Sequence, residues 1–346
     1  MTSLRCFPLL LTGLLAVVPA GRAAEHQHPA GDAHTLGQVA FSTSCTAEVR
    51  EDFNRAVARL HSFWYQASEK AFAAVARKDP SCALAYWGIA MSRFHQLWGK
   101  PRPENVRVGQ AALEKAKLVG AKSERERGYI SALGQLYKDA NKVDHLDRMV
   151  AYERAMEKLS RRYSDDSEAA IFYALALLGT AYASPPDRTY ARQHKAGAIL
   201  EKIFATQPHH PGVAHYIIHS YDYPPLAGRA LRAARRYAKI APQAPHALHM
   251  PSHIFTRLGL WQESIASNRA AAAAASFLRK KLRPLGSLSS CQATSLSLTT
   301  CLHSAPMVVC LRSRPGIVIP PDPARFGAYS RKPRQAPGRR RFPHGA

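Results

Sequence analysis

Acidic residues are scarce in this chain. Its 346 residues include 24 Asp and Glu against 48 Lys and Arg, for a formal net charge of +24. The shortage is uneven: residues 277–346 hold thirteen Lys or Arg against one acid, Asp322, so about half of the excess sits there. The rest is only moderately basic, which argues against specific nucleic-acid binding by the body of the protein. Strand-like alternation is scarce between residues 47 and 276, so a β class is excluded. No Gly-rich phosphate loop and no nucleophile elbow is visible, which removes the common nucleotide-binding and serine-hydrolase readings. Long apolar runs are equally rare. The one that stands out, "FPLLLTGLLAVV" at residues 7–18, is too short to span a bilayer. Only Cys45 and Cys82 lie between that run and the basic tail, so a multi-bridge framework is excluded.

The apolar run reads instead as an export leader. Arg5 supplies the positive start, and "PAGRAA" offers a small-residue cleavage site after Ala23. Residues 1–23 are therefore expected to be a signal peptide, and the mature chain to be periplasmic or secreted. Residues 24–46 follow as a flexible arm carrying His26, His28 and His34. Cleavage after Ala23 would leave His26 third from a free amine, an arrangement that can chelate Cu(II). An oxidising compartment permits a disulfide. Cys45 and Cys82 each stand just before an expected helix, so a bridge forms if those helices are neighbours.

What the chain has in quantity is helix-forming sequence. Ala, Leu, Arg, Glu and Lys dominate residues 47–276, with apolar residues recurring at three and four. Breakers such as "KDPSC", "SPPD", "QPHHPG" and "APQAP" divide the helices. Pro208 and Pro242 are 34 residues apart, and the next 34 reaches Ser276. Small and apolar residues recur before each marker: Ala196, Leu200, Ile203; Ala230, Ala234, Tyr237; Ser264, Asn268, Ala271. The same offsets precede Pro80 and Ser164. Residues 101–150 are helical but off register, and read as an insertion or a degenerate repeat.

A 34-residue helix-turn-helix unit with these offsets resembles the tetratricopeptide repeat. The strings "RLHSFWYQA" (59–67), "DPSCALAYWGIAMS" (79–92) and "HMPSHIFTRLG" (249–259) are similar to those of exported bacterial tetratricopeptide proteins of uncharacterised function. The resemblance covers residues 47–276. It implies an all-α, right-handed solenoid of helical hairpins whose first helices line a concave groove, a surface that takes peptides or partner proteins. It implies no reaction.

The histidines follow the repeat. His215 and His219 recur 34 residues later as His249 and His253, and His61 recurs as His95. Scatter would give roughly 0.4 pairs at one chosen spacing. Residues i and i+4 share a helix face, so each H-x3-H presents two imidazoles together. In the resembled family that stripe faces the groove. Four imidazoles from two adjacent helices could converge on one ion, with His246 as a fifth ligand. Asp222 is a further ligand or the acceptor that fixes an imidazole tautomer. An all-imidazole set suits Zn, Cu, Ni or Fe(II). No Glu stands inside either H-x3-H, so the zinc-protease reading fails. The alternatives are a grip on an anionic or peptide ligand, and plain packing with tyrosines. His61 and His95, beside Phe63, Trp64, Phe94 and Trp98, read as an aromatic groove wall. His209 and His210, at a turn, read as caps or solvent-facing residues. Pro251 lies between His249 and His253 and must kink or start the helix there.

The expected whole is an exported scaffold that binds a divalent metal and a peptide or protein partner. A metal-dependent enzyme is the alternative from another class, and a metal-free scaffold is the third. Residues 277–346 lack helical period. They read either as a disordered basic tail or as the product of an altered reading frame, which would leave the last hairpin uncovered.

Overall fold

The computed structural model describes residues 36–282. The leader expected at 1–23, the start of the arm, and the tail beyond residue 282 lie outside these residues. The described chain is all-helical. Its α-helices are α1 (Arg50–His61), α2 (Tyr65–Lys78), α3 (Ala83–Arg93), α4 (Pro103–Val119), α5 (Glu124–Tyr137), α6 (His145–Arg162), α7 (Ser167–Ala183), α8 (Ala191–Thr206), α9 (Pro211–Tyr221), α10 (Leu231–Ile240), α11 (Pro245–His249), α12 (Pro251–Arg257) and α13 (Trp261–Leu282). None of them is long and apolar enough to cross a membrane.

Local chemistry sets many of the boundaries. Asp144 and Asp166 cap α6 and α7 through their side chains, and Ser123 does so for α5. Pro103, Pro211, Pro245 and Pro251 stand in the first turn of their helices, where the missing N–H has no intrahelical partner to lose. Pro251 therefore does not kink one helix. It ends α11 and opens α12, with Met250 still helical at the joint. The off-register stretch 101–150 builds α4, α5 and the start of α6, which pack in sequence like the rest.

Most helices pack on their immediate neighbours in the chain. Second neighbours such as α3 and α5, α7 and α9, and α11 and α13 also touch, and the longest reach is that of α1 onto α9, with His61 and Tyr216 joined across 155 residues. As a result α9 is buried on every side, and His215 and His219 do not line an open groove. Gly212 makes the approach possible. A Cβ there would lie 2.5 Å from His61 Nδ1 and 2.7 Å from its Cγ.

Residues 36–46, expected as part of a flexible arm, are packed instead. Leu36 and Phe41 are buried, and Phe41 sits among Phe53, Trp87, Tyr129 and Phe172. The segment folds back because its aromatic side chain fills the centre of the first helices. Cys45 and Cys82 are joined by a disulfide that ties this segment to the start of α3. Asp79 reinforces the tie by accepting from the Thr46 N–H at 2.8 Å. At the other end, helix α13 runs to Leu282, past the point where periodicity stops. It leaves Trp261, Ile265 and Phe277 exposed.

Two outcomes follow from this packing, both read by urea unfolding. Gly212→Ala forces a methyl into the His61 ring and should cost about 1–3 kcal/mol. Cys45→Ser with Cys82→Ser opens a loop of 37 residues and should cost about 2–4 kcal/mol.

Candidate metal centre

Helix α9 starts at Pro211 behind His210, whose Nδ1 accepts from the Val213 N–H at 3.3 Å. From there the i, i+4 spacing puts His215 and His219 on one face, with their Nε2 atoms 3.1 Å apart. The third member comes from α11: His246 Nε2 lies 3.1 Å from His215 Nε2. One nitrogen from each of the three lies within 4.8 Å of the other two.

His249 and His253 form a second close pair beside this set. Their Nε2 atoms are 3.0 Å apart, across the break between α11 and α12. The expectation of four imidazoles converging on one ion is therefore corrected to a set of three and a set of two. The reason is the short α11. It carries His246 onto His215, the place expected for His249, and turns His249 toward His253. His246 links the sets, with its ring centroid 5.0 Å from His215 and 6.2 Å from His249.

Tautomers can be assigned from the partners. His215 Nδ1 lies 2.6 Å from the His61 backbone oxygen, which can only accept, so Nδ1 carries the proton. Its Nε2 is then a bare lone pair. That single lone pair can accept one hydrogen bond, yet it faces two imidazole nitrogens at 3.1 Å. At most one of these contacts can be a hydrogen bond while the rings are neutral. Burial keeps them neutral. His215 is pushed well below its ordinary range by burial and then by His219 and His246. Burial brings His219 down to about 3, helped by His253. His246 is likewise held far down by burial.

A cation resolves what a proton cannot, since it accepts all three lone pairs together. Two nitrogens about 2.0–2.1 Å from one ion, at angles between octahedral and tetrahedral, are about 2.9–3.4 Å apart. The observed 3.1 Å contacts fall in that interval. The three-histidine set could hold a divalent transition ion by donor type, by the bare His215 Nε2 and by its two 3.1 Å contacts. Asp222 does not join it. Its Oδ2 accepts from His253 Nδ1 at 2.8 Å and its Oδ1 from Arg257 Nε at 3.0 Å.

Aromatic rings cover the set. Phe63 lies 4.3 Å from the His215 ring and 5.6 Å from both His219 and His246. It holds a left-handed backbone (φ 52°), which is unusual for a bulky residue and costs of order 1 kcal/mol or more. Tyr237 stacks on the other side of His215 at 5.0 Å. Trp98, which is 40% exposed, stands 6.0 Å from His246. His95 stacks on Tyr65 at 4.0 Å beside Trp98, and Trp64 is partly buried at the start of α2.

His61 is not a groove wall. It is fully buried, because the α1–α9 contact closes over it. Its Nε2 donates to Glu168 Oε2 at 2.9 Å, and its Nδ1 accepts from Tyr216 OH at 3.0 Å. His210 caps α9, as expected, but faces inward, where its Nε2 donates to Glu168 Oε1 at 2.9 Å. Burial alone would raise the Glu168 carboxyl; His210 and His61 more than reverse this and hold it far below the usual range. Sequence reasoning missed Glu168 because an acid in a first helical turn is ordinary. It passed over Asn268 as a repeat-spacing residue, although Asn268 Oδ1 accepts from His249 Nδ1 at 2.7 Å. Cys45, Asp79 and Cys82 also lie close together, but the disulfide removes their thiolates as ligands.

Stability should fall with acid. Burial lowers His61, His95, His219 and His249 below their ordinary 6.5, to about 4 for His95 and His249 and about 3 for His219. The unfolded chain therefore binds more protons below pH 6.5. Metal-free protein should be most stable above that value and lose up to about 1.4 kcal/mol per pH unit per group as pH falls toward the folded values. The depressed Glu168 adds a loss of the same sign at lower pH. Melting temperatures between pH 7 and pH 5 measure this, and a flat profile would refute it. Glu168→Gln leaves His61 and His210 facing an amide and should cost about 2–3 kcal/mol at pH 7.

Compared with known proteins, no family model matches this chain, and no curated protein matches it either.

Proposed function

We propose that this protein is an exported tetratricopeptide-type binding protein that holds a divalent transition metal on His215, His219 and His246. The carrying observation is the His215 Nε2 lone pair, fixed by the His61 carbonyl and facing two further imidazole nitrogens at 3.1 Å. Zn, Cu, Ni and Fe(II) all accept such a donor set. The 34-residue register and the packing of helices on their chain neighbours support the solenoid reading. The α1–α9 contact departs from neighbour-only packing, so the reading is of a repeat array folded over its histidines rather than an open one. The leader-like start and the Cys45–Cys82 bridge support export to an oxidising compartment. A peptide or protein partner would be met by the half-exposed Trp98 and the stacked Tyr65 and His95 beside it, at the rim of the covered metal set.

The enzyme reading needs a base close to the ion. Asp222, the candidate from sequence, is engaged by His253 and Arg257, which favours binding over catalysis.

Elemental analysis of untagged protein tests the proposal. Wild type should carry metal that His215→Ala with His246→Ala loses, with the fold of the variant checked by circular dichroism. Equal metal content in both would remove the assigned centre.

A further inference from the structure

The second histidine pair has the chemistry of a site in its own right. His249 Nδ1 lies 2.7 Å from Asn268 Oδ1. The Asn268 amide is oriented, because its Nδ2 donates to the Ser264 carbonyl at 3.0 Å. Its oxygen must therefore face His249, and His249 Nδ1 must carry the proton. His253 Nδ1 lies 2.8 Å from the Asp222 carboxylate, which can only accept, so it carries a proton too. Both rings then direct their Nε2 atoms at each other across 3.0 Å. With both Nδ1 atoms protonated and no further proton on either ring, two lone pairs meet at that distance with no hydrogen between them. Such a contact is repulsive until something positive enters it.

We propose that His249 and His253 hold a second divalent transition ion, separate from the one on His215, His219 and His246. This extends the reading above from one ion to two and rests on the same imidazole chemistry. The nitrogen separation matches two ligands about 2.0–2.1 Å from one ion. The backing oxygens fix the tautomer and raise the basicity of each ring, as acceptors behind metal-bound histidines do. Asp222 does so with a negative charge, which also offsets the ion's charge. Arg257 holds the other Asp222 oxygen at 3.0 Å, so the carboxylate is kept turned toward His253.

Each site has a buried and a more open member: His246 is partly exposed beside His215 and His219, and His249 is 7% exposed beside His253. His215 is fully buried and His219 nearly so. The His253 and Asp222 side chains keep 12% and 10% of their exposure, with Arg257 at 34% beside them. Phe63 and Tyr237 pack on the His215 ring.

The competing account is a single proton shared between His249 and His253. Metal counting separates the two. Untagged protein is stripped with a chelator, dialysed against excess Zn(II), and analysed for zinc per chain. His249→Gln with His253→Gln should lose one ion relative to wild type, and so should His215→Gln with His246→Gln. The quadruple variant should lose two. Asp222→Asn should weaken one of the two zinc affinities by roughly 10–100-fold and leave the other unchanged. An unchanged zinc count in the His249/His253 variant overturns the second site, while the first centre stands. An unchanged count in the His215/His246 variant overturns the first centre and leaves the second. A loss of one ion in each double variant and only one in the quadruple means a single shared site, which overturns the two-ion proposal. Counting differences from wild type removes any contribution from His26, His28 and His34. The Gln variants keep side-chain volume, and unchanged helical circular dichroism confirms that each retains its fold.

Discussion

The contact between α1 and α9 is what the rest of the structure depends on. His61 ends α1 and reaches Glu168 on α7 and Tyr216 on α9 through its ring. Its backbone oxygen, at the same residue, sets the tautomer of His215. One residue thus ties three helices together and decides which nitrogen of the central imidazole is bare. The contact exists because Gly212 has no Cβ to meet the ring. It is also long-range, so its closure entropy must be met by the packing around it. Phe41, Phe53, Trp87, Tyr129 and Phe172 supply much of that packing, interlocked at ring separations of about 5–6.5 Å.

Burial has two consequences at the histidines. Desolvation suppresses their charged forms, which leaves nitrogen lone pairs rather than cations. It also raises the cost of any polar atom that lacks a partner. His219 Nδ1 is buried without a hydrogen-bond partner among the described residues. The His215 Nε2 lone pair has too many neighbours for one hydrogen bond. Glu168 shows the contrasting arrangement: equally buried, it has a donor on each oxygen, and its network is complete. The same interior thus contains one satisfied polar cluster and one that a cation would complete. The Phe63 backbone, held left-handed over the second, is a further expense at that place.

Much of this was legible in the sequence. The helical class follows from composition and period. The i, i+4 histidines and their recurrence 34 residues later drew attention to α9, α11 and α12, where the imidazoles cluster, and His246 was among the candidates named. The adjacent cysteines were read as partners from their places before two helices. Other features were not legible. The division into three and two histidines depends on α11 ending at His249, and a proline in sequence does not say whether it kinks one helix or separates two. His61 read as a wall residue because aromatic neighbours in sequence suggested a surface. Residues 36–46 read as an arm because their few apolar side chains show no period, although Phe41 is central to the core.

The sequence by itself determined what is periodic and local. It set where helices run, which imidazoles share a face, and how often the pattern returns, since these follow from 3.6 residues per turn and from side-chain chemistry at each boundary. Only the tertiary structure decided the tautomers, the grouping and the burial. A lone pair is made bare by whatever sits behind the other ring nitrogen, and here that is a carbonyl 154 residues away, a carboxylate 31 away and an amide 19 away. No local rule connects such partners. They meet because α1 closes on α9 and α13 packs on α11 and α12, and those contacts are decided by how whole faces fit.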